Sequence, residues 1–564
     1  MATSQGRLVR RAGTARAFVT TATLAGVLLA SGGPASAQIG RTDPTIEQQV
    51  LTEGYRDITA LEVTADGRVI FTQREGKVFI WKQDGSVVQA AFLPVDSYDR
   101  SQGSQNGATA TCPRGDECPA GYYLSEGGVH GILLAPDFEE TGHLYLYYTV
   151  VSSLGQQVDP PKMPGARGPD SSEGKFRLSR FTMVGDTIDL SSEVELFENP
   201  AEWHYCCHYG GDLEWLSDGT LLLTTGDDSS SDFSNGYSPH DQRPDMTWNS
   251  ADLTAHNLAD RRGKLLRIDV RDVDGDGSMI PADNPFLDVE GADPYVYAYG
   301  FRSPYRFAVN PATDHVYVGN VSSDAGSANA TRGPAGHEEL EIVPPGGGTD
   351  HGWPRCTMNR VPYWEYNFAT GQSIAPFDCS GTVPAALYYG PRPDTTNPWI
   401  QMGQGGRTVM AGHVYERPET GALRLPAHYD NQLIWMEYSR DQVWRLPVNT
   451  DGSLSVGVQD LIPVWYGGLR NPVDADVGPD GAVYLAEYGS NIWNSTNGRI
   501  SRLVCTGCTP SSADYQGAPV VDPIAPTLAA GAVGDTGGSS PGPMLAVVLG
   551  GLALVGLRRR RAVT

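Results

Sequence analysis

A strand, a tight turn and a second strand recur six times along this 564-residue chain. The copies are VTADGRVIFTQREGKVFIW at 63–81, APDFEETGHLYLYYTV at 135–150, LSDGTLLLTTGDD at 216–228, NPATDHVYVGNV at 310–321, AHYDNQLIWMEYSRDQVWRL at 427–446 and GPDGAVYLAEYGS at 478–490. In each, Asp-Gly or an equivalent turn precedes an alternating or wholly apolar run rich in Val, Leu and Tyr, which is how a hairpin reads. Helical periodicity is nearly absent. Six hairpin units at irregular intervals predict an all-β chain, a six-bladed β-propeller with long inter-blade loops. Two packed β-sandwiches are the competing architecture. A propeller gathers its non-repeating polar residues on loops at one mouth of the central channel, so chemistry is expected there.

Composition supports the class and narrows the partners. With 67 Gly and 40 Pro, and only 19% charged residues, the chain is turn-rich and unlike a disordered acidic polymer. It carries 66 acidic against 41 basic residues, a net charge of −25. Such a surface repels phosphate backbones and anionic lipid, which excludes nucleic acid as a partner.

The two ends read as addresses rather than fold. Residues 1–37 form a signal peptide: Arg7, Arg10, Arg11 and Arg16 precede an apolar run, and Ala35-Ser36-Ala37 is an A-x-A cleavage site. Arg10-Arg11 leaves twin-arginine export open. The propeller is expected over 38–508, followed by a Gly/Pro/Ser-rich linker at 509–542. Residues 543–564 hold a short apolar segment and the tail Arg558 to Arg561. That segment falls short of the roughly 20 residues a comfortable helical span needs. It resembles a surface sorting signal, with Val533-Gly534-Asp535-Thr536-Gly537 where the sorting motif stands. The chain is therefore expected to be exported and held at the cell envelope, by a sortase or by a membrane tail.

Export favours disulfides. The eight cysteines fall into four local pairs: Cys112 with Cys118, Cys206 with Cys207, Cys356 with Cys379, and Cys505 with Cys508. A bridge between the adjacent Cys206 and Cys207 requires a distorted turn. It would serve as a rigid support for the loop or as a redox pair.

Three constellations could carry chemistry. In EWHYCCHYGGDLEWLSDGTLLLTTGDD, 202–228, His208 precedes one strand and Asp227 ends the next. An up-down pair can bring them within hydrogen-bond reach, either as a general base with its orienting carboxylate or as a structural histidine. In YAYGFRSPYRFAV, 297–309, Arg302 sits among aromatic residues and suits an anionic or planar ligand, or serves as a capping residue. In DVDGDGSMIPADNPF, Asp272, Asp274 and Asp276 match the first half of a calcium loop, with Asp283 at the twelfth position; an acidic turn is the alternative. A further acidic group, Glu338, Glu339 and Glu341, would hold metal or salt bridges.

Taken together, the blocks resemble the glucose/sorbosone dehydrogenase family of soluble quinoproteins. EGGVHGILLAPDFEETGHLYLYYT, CHYGGDLEWLSDGTLLLTTGD, RRGKLLRID, IPADNPF, YGFRSPYRFAV, DHGWP and GPDGAVYLAEYG follow in family order across roughly 50–505. The resemblance implies a six-bladed propeller that binds pyrroloquinoline quinone (PQQ) and calcium at the channel mouth. It implies His208 as the base that takes a proton from a sugar hydroxyl while hydride passes to the quinone, Asp227 as its supporting carboxylate, and Arg302 as the electrophile. Glu126 falls at a substrate contact. Cofactor contacts fall on Arg302, Ser303, Asn320, Arg440 and Arg470, and metal contacts on the acidic loop with Glu338. Three departures stand out. Ser303 replaces an asparagine, Ser439-Arg440 replaces a lysine, and Arg470 stands where an arginine pair is usual. The implied partners are a sugar or alcohol and an external electron acceptor. The other functions weighed are a non-catalytic carbohydrate-binding propeller and a calcium-dependent lactonase.

Overall fold

The computed structural model describes residues 45–95, 126–150, 173–202, 207–229, 234–244, 246, 249–271, 273, 278–392, 404–457, 460–490 and 495–505. The expected signal peptide, linker and tail lie outside them, as do Cys112, Cys118, Cys206, Cys508, Asp272, Asp274 and Asp276.

Each of the six hairpin units lies in one blade of a β-propeller. Blade 1 is Ile58–Val63, Val69–Gln73, Lys77–Trp81 and Val87–Phe92. Blade 2 is Val129–Leu134, His143–Thr149, Glu173–Val184 and Thr187–Glu202. Blade 3 is Gly210–Trp215, Leu221–Thr225, Lys264–Ile268 and Val296–Tyr299, with Thr349–Asp350 added in parallel. Blade 4 is Pro304–Val309, Val316–Asn320, Glu338–Val343 and Leu387–Tyr389. Blade 5 is Val409–Tyr415, Gln432–Glu437, Gln442–Pro447 and Ile462–Tyr466. Blade 6 is Pro472–Val477, Val483–Glu487 and Gly498–Cys505, completed on its outer edge by the N-terminal strand Ile46–Tyr55. That strand comes from before blade 1 and pairs with the outer strand of blade 6, so the ring is closed by hydrogen bonds between its first and last segments.

Inner strands touch in sequence around the ring, blade 1 on 2 through blade 6 on 1. The second strands are the apolar heart of each blade. Val69, Ile70 and Phe71, and Leu221, Leu222 and Leu223, are fully buried. Burying such a side chain stabilises the fold by about 1.5–3 kcal/mol.

The inner strands also carry charge into the channel, and the pattern is systematic. Asp212 of blade 3 accepts from the Phe307 N–H of blade 4 at 2.9 Å. Asp474 and Asp476 of blade 6 accept from Leu61 and Val63 of blade 1, at 2.9 and 2.8 Å. Arg306 of blade 4 lies among them, fully buried. Its Nε is 3.3 Å from Asp474, its Nη1 3.8 Å from Asp212, and its Nη2 donates to the carbonyls of Thr59 and of His130, the latter at 3.0 Å. One guanidinium thus engages blades 1, 2, 3 and 6 from its seat on blade 4.

Cys356 and Cys379 form a disulfide. Cys207 and Cys505 are also disulfide-bonded, and their expected partners lie outside the described residues.

Candidate active site

In an antiparallel hairpin, the start of the first strand and the end of the second lie at the same pole. Residues just before the inner strands and just after the second strands therefore converge at one mouth of the channel. Blade 3 shows this most directly. Gly210 pairs with Thr225, so His208 and Asp227 are carried past the end of the ladder side by side.

His208 Nδ1 lies 2.9 Å from Asp227 Oδ1, and both side chains are buried. A carboxylate only accepts, so Nδ1 carries the proton in the neutral imidazole and Nε2 is left as the basic atom. His208 Nε2 is buried and has no hydrogen-bond partner. Leaving such an atom unsatisfied costs about 1–3 kcal/mol.

The turn that presents it is strained. Cys207, His208 and Asp228 have φ of 101°, 68° and 54°, left-handed values that a non-glycine residue rarely adopts. Two contacts hold it. Glu126 Oε2 accepts from the His208 N–H at 2.7 Å, and the Asp228 N–H donates to the His208 carbonyl at 3.3 Å. A Cβ on Gly226 would stand 1.7 Å from that same carbonyl, so only glycine fits there. Burial pushes the Glu126 carboxyl above its ordinary range, with His208 and Arg302 opposing.

Asp227 is fixed by three further elements. The Ser229 N–H donates to Oδ1 at 3.0 Å, Trp353 Nε1–H to Oδ2 at 2.7 Å, and the Asp227 N–H to the Arg302 carbonyl at 2.7 Å. The last bond ties the base of blade 3 to the arginine that precedes blade 4. Arg302 is itself buried; Nη2 pairs with Asp324 at 2.8 Å and Nη1 donates to the Val321 carbonyl at 3.2 Å. Asn320 Oδ1 accepts from the backbone N–H of Arg302 and of Ser303, at 3.1 and 3.2 Å. Asn320 Nδ2 in turn donates to Glu341 at 2.7 Å, and Glu341 pairs with His351.

A cavity of about 50 Å³ opens beside this group, its wall including Arg74, Glu126, Ser303, Tyr305, Thr408 and Tyr488. These come from blades 1, 2, 4, 5 and 6, as the hairpin rule requires. His208, Asp227, Arg302, Ser303, Asn320 and Glu126 are thus brought together. Asn320 turns its side chain to the backbone, so it supports the arginine instead of facing the cavity.

Arg440 and Arg470 are not brought to the cavity wall. Arg440 donates to the carbonyls of Gly406 at 2.8 Å and Gly390 at 3.1 Å, and lies over the Tyr389 ring. Arg470 pairs with Glu53 and donates to the Asn497 carbonyl, both at 2.9 Å. The cation in the wall is Arg74, which pairs with Asp57 at 2.8 Å.

The metal expectation fares differently by residue. Asp272, Asp274 and Asp276 lie outside the described residues. Asp283 pairs with Arg267 at 2.8 Å. Glu338 sits 3.3 Å from Arg407 and accepts from the Val409 N–H. Burial pushes its carboxyl up to about 7. Glu339 accepts from the Thr357 hydroxyl at 2.6 Å. The three glutamates therefore serve three different partners. Among the described residues no group of three or more His, Cys, Asp or Glu is disposed to hold a metal ion.

Several site residues escape the sequence reading: Trp353, Asp324, Thr408, Arg74 and the Glu341–His351 pair. The DHGWP block was the available signal for Trp353 and His351, but it names no partner 126 residues away.

A family model for glucose/sorbosone dehydrogenase matches residues 56–389. An uncharacterised protein of Synechocystis is 23% identical over 477 residues, covering 82% of this chain and 87% of that one. The aldose sugar dehydrogenase YliI of Escherichia coli is 26% identical over 244 residues, 43% of this chain and 49% of that one. The human hedgehog-interacting protein is 24% identical over 289 residues, 50% of this chain and 34% of that one. Among solved structures, the apo soluble aldose sugar dehydrogenase of E. coli superposes with a TM-score of 0.51 at 18% identity, over 82% of this chain and all of that one. A glucose dehydrogenase superposes at 0.50 and 20%, over 83% and all of it. These superpositions establish the fold.

Proposed function

The chain belongs to the glucose/sorbosone dehydrogenase family, and on that premise we propose that it is an exported dehydrogenase that oxidises a sugar or related alcohol with PQQ. The observation that carries the proposal is the unpartnered, buried His208 Nε2 backed by Asp227.

The residues at the mouth fit the quinone at its reacting end. His208 offers an open basic nitrogen, Arg302 a buried guanidinium, and Ser303, Thr408 and Arg74 polar groups along the wall. PQQ, when bound, supplies the hydride-accepting carbonyl. His208 Nε2 removes the proton from the substrate hydroxyl, and Asp227 stabilises the imidazolium that results. Arg302, held by Asp324, presents positive charge where negative charge develops. Burial of all three strengthens these interactions by excluding water. Calcium belongs to the family expectation, and no step is assigned to it here because no described donor set gathers for it. Export and anchoring at the envelope rest on the leader and tail motifs, and the substrate class and external electron acceptor rest on the family.

The test is a titration of the purified chain with PQQ, with and without calcium, followed by absorbance, with a sugar panel and a redox dye. Saturable binding and dye reduction by an aldose are expected. No binding at micromolar PQQ would overturn the proposal. The second reading, a non-catalytic carbohydrate-binding propeller, would then stand, favoured by the diversion of Arg440 and Arg470 into protein contacts. Cofactor-free lactone hydrolysis would instead indicate the lactonase.

A further inference from the structure

The segment 350–354, Asp-His-Gly-Trp-Pro, touches both halves of the site. It is anchored by the parallel pairing of Thr349 and Asp350 with Ala298 and Tyr299, and by the Trp353 N–H donating to the Gly300 carbonyl at 3.0 Å. Those contacts fix it to the strand that leads into Arg302. Trp353 is 3% exposed and packs edge-on against Tyr363, with Ala251 and Ala255 in the same cluster.

From this seat the indole reaches in two directions. Nε1–H donates to Asp227 Oδ2 at 2.7 Å. The Arg302 guanidinium lies 5.9 Å from the ring centre. Asp227 Oδ1 already serves His208 and Ser229. The indole therefore sets the rotation of the carboxylate about its own bond, which in turn aims the histidine. Ser229 alone leaves that rotation free, because a donor to one oxygen permits the other to swing.

We propose that Trp353 is a positioning residue that locks Asp227, and through it His208, at a set distance from Arg302. The proposal rests on the dehydrogenase reading of the site. A core aromatic of the same shape without the N–H would pack equally well and fail to hold the carboxylate.

The test is a double-substitution cycle of Trp353→Phe and Asp227→Asn, read as kcat and KM in dye-linked turnover of the PQQ-loaded chain. W353F keeps the ring and deletes the donor. It is expected to lower kcat about 10- to 100-fold, the weight of one hydrogen bond to a charged group, with KM changed less than about threefold. In the D227N background the same substitution is expected to lower kcat less than about threefold. Trp353→His, which keeps a ring N–H, should recover part of the loss. Wild-type kcat in W353F, or independent effects that multiply in the double variant, would overturn the proposal.

A second arm needs no turnover. In the cofactor-free chain, the 15N-indole resonance of Trp353 should move on Asp227→Asn; an unmoved resonance overturns the contact. If wild type never turns over, the dehydrogenase reading fails, while this resonance still decides whether Trp353 holds Asp227.

Discussion

Two buried charged constellations share the channel, and they are built from the same kinds of parts. In the middle, Arg306 lies between Asp212 and Asp474. At the mouth, His208 is backed by Asp227 and stands near Arg302. The middle group pairs opposite charges, with Arg306 Nε 3.3 Å from Asp474 but making no hydrogen bond. Each carboxylate also accepts a backbone N–H from the next blade, and the guanidinium spans four other blades. At the mouth, His208 Nε2 is buried without a hydrogen-bond partner. Opposite charges bridging four other blades make the first a staple; a ring nitrogen left without a hydrogen bond and backed by a carboxylate makes the second a reagent. The strain in the 207–208 turn falls on the same side of the comparison, since the inner strand carrying Arg306 has no left-handed residue of its own.

Breaking the staple should cost the most stability. Arg306→Leu leaves two buried carboxylates uncompensated, and a loss of about 3–5 kcal/mol is expected in chemical denaturation. A loss under about 1 kcal/mol would mean that the ring closes without it.

The staple should also give stability a pH dependence. Burial, with the Asp474 charge adding, pushes the Asp212 carboxyl up to about 7 despite Arg306. The folded chain then binds this proton more tightly than the unfolded chain, where aspartate titrates near about 4. The stabilisation from this group is complete below about pH 4 and is lost as pH rises through about 7. Wild type should therefore lose stability relative to Asp212→Asn between those values. A constant gap across the window would contradict the assignment.

The smallest effect should come from Arg470→Ala. Its pair with Glu53 is half open to water, with side-chain exposures of 29% and 57%. Such pairs contribute about 0–1 kcal/mol. PQQ affinity should be unchanged, and a tenfold weakening would return Arg470 to the cofactor.

The sequence discloses what is local. Six hairpins are legible because each turn and its strands lie within some twenty residues. The His208–Asp227 pair is legible for the same reason, being 19 positions apart on one hairpin. What is assembled across blades is not. Trp353 is 126 residues from the carboxylate it holds. Arg440 falls near the right stretch of blade 5, but the 3-10 turn Tyr438–Arg440 points its guanidinium at the carbonyls of Gly390 and Gly406. The closing strand Ile46–Tyr55 escapes notice because IEQQVLTEGY lacks a clear apolar alternation, as an outer-edge strand can. Asp474 and Asp476 alternate with Val473 and Ala475, a period that marks an inner strand with charge facing the channel. Without the fold, nothing says that a channel is there.

The central claim is that one unpartnered nitrogen makes the mouth reactive. It is tested most directly by His208→Ala, compared with wild type for PQQ affinity, unfolding temperature and dye-linked sugar oxidation in the same preparations. Affinity and unfolding temperature close to wild type are expected, with turnover down about 10²- to 10⁴-fold, the share of a general base. Turnover within about threefold of wild type would remove His208 from the chemistry and leave the open nitrogen without a function.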